Sequence, residues 1–210
     1  PGGASGKGSD MVQSFPEQSV VAFSQTGLGK ALADLYTANE QTLRDLDTFG
    51  VFDMLKEAGV SLPADFTAVL GDEIGGFFYG SEDDPHGALR VKTPTPARAK
   101  RVISSLASTA ADEPLPVNDF YARAPGGYVV GFPEGFQSTA TGGHLGTSAA
   151  FKAAVPEAAG ASFLLFVDVQ GALALSGDDE PDEVRQLKAV GMTSRSNGHD
   201  TTFRLRVTFV

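Results

Sequence analysis

The stretch Leu62–Gly80, LPADFTAVLGDEIGGFFYG, changes character half-way along. Pro63 opens a short helical segment that runs to Leu70, Gly71-Asp72 makes a turn, and a strand follows through Phe77, Phe78 and Tyr79. Three aromatics in a row after Gly75-Gly76 predict a strand buried on both faces, or one at a closely approached sheet centre. Outward from this stretch the chain is mostly helical on its N-terminal side and mostly strand on its C-terminal side.

Composition bounds the rest. At 210 residues the chain suits one domain with a real core, and 41% apolar content with 15 Phe is too high for a disordered polymer. A net charge of -10 argues against nucleic-acid binding, which needs basic surface, and more weakly against docking on an anionic membrane surface. Cysteine is absent, which excludes a disulfide framework, a thiol nucleophile and thiolate metal sites. No apolar run approaches the ~20 residues needed to span a bilayer. Residues 1–10, PGGASGKGSD, lack the apolar core of a signal peptide. Residues 1–14 are expected to be a flexible linker or cloning remnant, with 15–210 a single domain and any membrane anchor upstream.

Ser19–Ser24 reads as a strand. Thr26 is expected to cap a long helix from about Leu28, with Leu28, Leu32, Leu35, Leu43 and Leu46 at helical spacing and Gly50 as its stop. A short helix follows over about Val51–Ala58. After the polar turn Gly80–Gly87, Ala88–Lys92 returns as a strand with Leu89 and Val91 on one face and Arg90 and Lys92 on a wet one. Thr95 and Pro96 open a helix whose inner stripe is Ala99, Val102, Ile103, Leu106 and Ala110, with Arg98, Lys100 and Arg101 in water.

Asp119–Ala124 and Gly127–Phe132 form a hairpin, a Gly/Ser/Thr-rich loop spans Gln137–Gly146, and Thr147 or Ser148 caps a short helix ended by Pro156. Ser162–Val169, SFLLFVDV, is the most continuously apolar run and should be a central strand. Beyond the acidic loop Gly177–Glu183, a helix is expected to turn Val184, Leu187 and Val190 inward. A final hairpin pairs Met192–Ser196 with Thr201–Val210 about Asn197-Gly198; Phe203, Leu205, Val207 and Phe209 alternate with Arg204, Arg206 and Thr208, so one face should be buried. Ala88–Phe132 and Ser162–Val210 share the order strand, helix, hairpin. The expected class is therefore α+β: a curved, largely antiparallel sheet with helices on one face and that unit used twice.

No motif for bond-making chemistry emerges. Gly27-Leu28-Gly29-Lys30 lacks the first glycine and the terminal hydroxyl of a phosphate loop, since Ser24 and Ala31 stand there. Glu82-Asp83-Asp84 and Asp178-Asp179-Glu180 lack EF-hand spacing. His86, His144 and His199 lie in separate turns without paired spacing. Asp72, Glu73 and Asp168 are the best carboxylate candidates for acid–base work, and capping or strand ends is the plainer account of them. GxSxG is absent, and Ser148 stands one residue too far from Lys152 for SxxK. Arg90, Lys92, Arg98, Lys100, Arg101 and Arg123 gather positive charge in one third of the chain, which suits either an anionic polymer or headgroup, or a solvated face. No catalytic, cofactor-binding or metal-ligating residue is assigned, and no cofactor is implied.

Leu62-Pro63 with Asp65-Phe66, Leu70-Gly71-Asp72-Glu73, Leu145-Gly146-Thr147-Ser148 with Phe151-Lys152, Phe166-Val167-Asp168 and Ala189-Val190-Gly191 together resemble a bacterial family known as a domain of unknown function. That family occurs in envelope-associated proteins of high-GC Gram-positive bacteria. The resemblance spans roughly 15–210 and implies an extracytoplasmic body held by an upstream membrane segment, with no active-site residues. The expected function is a non-catalytic domain that binds an envelope partner or an apolar ligand, with Phe-rich strands lining the site. The alternatives are a metal-dependent hydrolase built on Asp72, Glu73, Asp168 and a histidine, and a purely structural spacer.

Overall fold

The computed structural model describes residues 10–81, 83–110, 116–133, 136–176, 182–196 and 200–210. In chain order these are α1 (Asp10–Gln13), β1 (Val21–Thr26), α2 (Leu28–Asp45), α3 (Val51–Glu57), α4 (Ala64–Leu70), β2 (Glu73–Gly80), β3 (Pro85–Lys92) and α5 (Pro96–Ala110). There follow α6 (Val117–Phe120), β4 (Tyr121–Ala124), β5 (Gly127–Phe132), α7 (Phe136–Thr139), a 3-10 turn at Leu145–Thr147, α8 (Ala149–Ala154), β6 (Phe163–Asp168), α9 (Val169–Ser176), α10 (Asp182–Arg185), β7 (Leu187–Ser196) and β8 (Thr201–Phe209). The strands make one open antiparallel sheet in the order β4-β5-β3-β2-β1-β6-β7-β8, so the expected α+β class holds. The strand–helix–hairpin order recurs as β3-α5-β4-β5 and β6-α9-β7-β8, but the sheet joins the copies differently. In the first, the second hairpin strand β5 pairs with β3; in the second, the first hairpin strand β7 pairs with β6.

The chain divides into two compact units, residues 1–26, 75–90 and 130–210, and residues 27–74 and 91–129. In the first unit, antiparallel register sets Ala22, Phe166, Gly191 and Arg206 in one cross-strand row and Ser24, Leu164, Thr193 and Arg204 in the next. Helix α8 lies over these rows: Phe151 meets Phe166 edge-on at 5.3 Å, and a Cβ on Gly191 would fall 2.7 Å from a Val155 methyl. Ser148 caps α8 as expected, its Oγ accepting the Phe151 amide. Met11 and Val12 of α1 are buried, so residues 10–14 of the stretch expected to be linker belong to the folded body. Their apolar side chains, followed by Phe15 with its ring tilted against that of Phe77 at 5.1 Å, were the signal.

Two expectations fail here for identifiable reasons. Val184, Leu187 and Val190 do not share a helix; α10 ends at Arg185, and Leu187 and Val190 enter β7. Their 3-residue spacing reads as helical, but a register shift between Leu187 and Ala189 lets a strand carry Leu187 and Val190 on one face, opposite Phe209 and Val207. Thr26 does not cap α2. Its hydroxyl donates to the Ser162 carbonyl, and Gly27, with φ 71°, takes the cap position.

In the second unit α2 packs on α4 and α4 on α5. Gly29 permits the first contact, because a Cβ there would stand 2.9 Å from both the Gly71 and Phe66 carbonyl oxygens. The α2 leucines do not all turn inward: Leu35 and Leu46 are exposed, and Tyr36 is the buried anchor, set between Phe52 and Phe66. Asp47 starts α3 instead of a side chain at the cap position, accepting the Val51 and Phe52 amides at 2.8 and 2.7 Å. Those amides hold its carboxyl below the ordinary range. Arg98 departs from its expected wet face and pairs at 2.5 Å with Asp65, which is 2% exposed and also accepts the Ser61 amide. Removing Arg98 would leave the buried Asp65 carboxylate without its cation.

Tyr128 is buried, stacks on Tyr121 at 5.2 Å and donates to the Val69 carbonyl. Burial, with the neighbouring Tyr121 adding to it, pushes its hydroxyl well above the ordinary phenol range. The unfolded chain releases this proton near pH 10 and the folded one does not, so the stabilisation is whole below about pH 10 and drains away above it. Denaturant unfolding between pH 9 and 11.5 should show stability falling with a slope of up to about 1.4 kcal/mol per pH unit from this group. Tyr128→Phe should flatten that slope, and an unchanged slope would assign it elsewhere.

Candidate functional site

The other face of the same strands carries the candidate site. Antiparallel register sets Phe23, Leu165, Met192 and Leu205 in one row across β1, β6, β7 and β8, and Val21, Val167, Val190 and Val207 in the next. A third row, Gln25, Phe163, Ser194 and Phe203, brings in polar groups, and Leu187 opposite Phe209 closes the far end. The face continues through the rest of the unit. A Cβ on Gly76 would touch Leu89 and Phe23 side chains at 2.6 and 2.8 Å, and one on Gly87 would meet the Phe132 ring at 3.1 Å. Glycine at 76 therefore leaves the space that those two large side chains fill.

These residues remain accessible. On β8, Phe203 and Leu205 are each 69% exposed, Phe209 65% and Val207 39%, and Phe78, Leu89 and Phe132 are exposed as well. Inward along the rows, Phe23, Leu165, Val167, Val190 and Met192 are half-buried. This corrects the expected polarity of the last strand. Its apolar side faces solvent, and its arginines face the helix layer: Arg204 pairs with Glu157, just beyond α8, and Arg206 borders the same crevice beside Val155 and Gly191. The reason is register. Val207 lies opposite Val190 and Leu205 opposite Met192, so β8 had to follow the side on which β7 is apolar, while Gly191 and Thr193 open room beneath the helix for long arginine stems. The expected two-sided burial of β2 is likewise corrected: Phe77 is buried and Phe78 is exposed.

The titratable candidates have structural partners. Glu73, nearly buried, pairs with Lys92 at 2.5 Å. Asp72 holds the start of α2 through its backbone, its carbonyl accepting from Gly27 and its amide donating to Lys92. Asp168 accepts the Gly171 amide at 3.1 Å and so opens α9. His86 stacks on Tyr79 with ring centres 4.7 Å apart and reaches Asp84 at 3.2 Å, while the His144 carbonyl accepts the Thr147 amide and hydroxyl. His199, Glu82 and the loop Asp178-Asp179-Glu180 lie outside the described residues. Among the described residues no three carboxylate or imidazole groups converge as a metal donor set, and no helix is long and apolar enough to cross a membrane.

No protein-family model and no curated protein matches the chain. Among solved structures, one titled "Structure of crystal form IV of TP0453" is similar to it, with a TM-score of 0.48 and 13% identity, covering 98% of this chain and 83% of that one.

The open face was foreshadowed in β6, whose sequence is apolar on both sides, although nothing in the sequence says which side the helices cover. The two faces should respond differently to substitution. Leu164→Ala, at a fully buried position, should lower unfolding free energy by about 2–5 kcal/mol. Leu205→Thr should change it by no more than about 0.5 kcal/mol. Urea denaturation of both variants checks this; equal losses would mean that the second face is packed like the first.

Proposed function

We propose that this protein is a non-catalytic binding domain of the cell envelope that holds a hydrocarbon chain against the open sheet face of its first unit. One observation carries the proposal: two successive rows across four strands contain only apolar side chains, and the outermost members are largely solvent-accessible. Four strands at a spacing of about 4.8 Å make a tract roughly 15 Å across, with the two apolar rows about 7 Å apart and Phe163, Phe203 and Phe209 beyond them. Burying a hydrocarbon chain along it is worth about 0.8 kcal/mol per methylene.

A protein partner fits this tract less well. Protein interfaces carry about one hydrogen bond per 100–200 Å² and are enriched in arginine, whereas these two rows offer neither a charge nor a side-chain donor. A second copy paired through β8 meets like charges, because symmetric antiparallel pairing about Leu205 sets Arg204 of one copy opposite Arg206 of the other. The structural partners of Glu73, Asp65 and Asp168 support the non-catalytic part of the proposal. Placement outside the cytoplasm, on an anchor upstream, rests on the family resemblance of the sequence.

Titration with laurate, myristate and palmitate tests the ligand class. Affinity should rise by up to about fourfold per methylene, and Leu205→Glu with Val207→Glu should abolish binding while leaving the thermal midpoint unchanged. No binding of any of the three, or binding indifferent to both substitutions, contradicts the proposal. The location is tested separately. Since the chain has no cysteine, Phe49→Cys at a 93% exposed position supplies a single thiol. A membrane-impermeant maleimide should label it in intact cells, and labelling only after lysis would place the domain inside.

A further inference from the structure

The second unit contains a groove that the ion pairing around it leaves positively charged. Its volume is about 530 Å³. One wall is the face of α5 bearing Lys100, Arg101 and Ser104, which helical spacing sets side by side; the other is β4, where Tyr121 and Arg123, two residues apart, point the same way. Two contacts fix the walls against each other. The Tyr121 hydroxyl donates to the Pro96 carbonyl at 2.8 Å, and Lys100 Nζ stands 5.5 Å from the centre of the Tyr121 ring. Lys100 also donates to Asn118 Oδ1 at 2.8 Å, which holds it at the rim.

The nearby cations of this basic segment are neutralised: Lys92 by Glu73 and Arg98 by Asp65. Lys100, Arg101 and Arg123 make no ion pair among the described residues. Arg123 also borders an adjoining cleft of about 510 Å³, shared with Lys92 and the first turn of α5, with Asp72 its one acidic residue. Three like charges along one concavity repel one another and concentrate a positive field, in a chain whose net charge is -10. A multiply charged anion relieves that repulsion. Two guanidinium forks and one ammonium match the oxygens of a phosphate group, the arginines in bidentate fashion and the lysine as a point charge.

We infer that this groove binds a phosphate-bearing organic anion, held by Arg101, Arg123 and Lys100. Its volume leaves room beyond a phosphate group for an organic portion between α5 and β4. This site shares no residue with the proposed hydrocarbon-binding face and does not depend on it. A soluble phosphate ester and a phospholipid headgroup carry the same chemistry, so the test has two arms. In one, the whole chain is titrated calorimetrically with glycerol 3-phosphate; in the other, it is sedimented with vesicles of phosphatidylglycerol and phosphatidylcholine, against phosphatidylcholine alone. Binding to the first probe assigns a soluble ester, and binding to the anionic vesicles a headgroup.

In either arm, Arg101→Ala with Arg123→Ala should weaken binding at least tenfold, and the paired lysine substitutions should recover part of it. Lys152→Ala, at an exposed position on α8, should leave binding unchanged. Both arginines are exposed, so these variants should keep the wild-type thermal midpoint, and wild-type binding should also weaken steeply with salt as a readout free of substitution. Failure of both probes to bind, binding insensitive to salt, or an equal loss in Lys152→Ala would overturn the inference.

Discussion

Strand β6 is apolar on both of its sides, and a sheet strand of that kind needs cover twice. Leu164 and Phe166 take their cover from the helix layer, while Leu165 and Val167 stand in the accessible rows opposite. Because side chains alternate strictly along a strand, this choice at β6 propagates through the ladder. β1 and β7 must present small or hydroxyl-bearing residues to the helices, as Ala22, Ser24, Gly191 and Thr193 do, and their larger apolar residues to the other side. β8, with its arginines and phenylalanines in alternation, then falls into register with its apolar side open.

Charge is handled in the same economical way. Several carboxylates of the fold, Glu73 and Asp168 among the sequence candidates, begin a helix or neutralise a cation. Asp65 holds Arg98 against α4, Glu73 holds Lys92 beside the sheet, Asp47 starts α3 and Asp168 starts α9. What is left over has spatial meaning. A cluster of cations without an ion pair among the described residues lies where α5 and β4 meet, and the longest continuous apolar rows lie on one side of the first unit's strands.

The sequence made some of this legible and hid the rest. The order of elements around Leu62–Gly80, the central place of Ser162–Val169 and the capping by Ser148 follow from local signals: periodicity, glycine, proline and hydroxyl side chains. The direction in which an amphipathic element faces is not a local property. Arg204 and Arg206 mark the wet side of a strand by composition, yet a helix layer with a glycine beneath it and Glu157 beside it accepts them. Arg98 likewise sits in a run of exposed cations until Asp65, thirty-three residues earlier, meets it. The basic groove was half visible, since its cations cluster in the sequence. The aromatic ring that organises them, Tyr121, comes from another element, and only folding brings it to Lys100.

The chain's three methionines give a direct reading of which surfaces are open. Met11 is buried in α1, Met54 is exposed in α3, and Met192 lies in the apolar rows. Oxidation by dilute peroxide, followed by peptide mass spectrometry, should modify Met54 first, Met192 at a slower but measurable rate, and Met11 only on unfolding. If Met192 in the native, ligand-free protein is as protected as Met11, the second face of the sheet is covered and an open apolar face is contradicted.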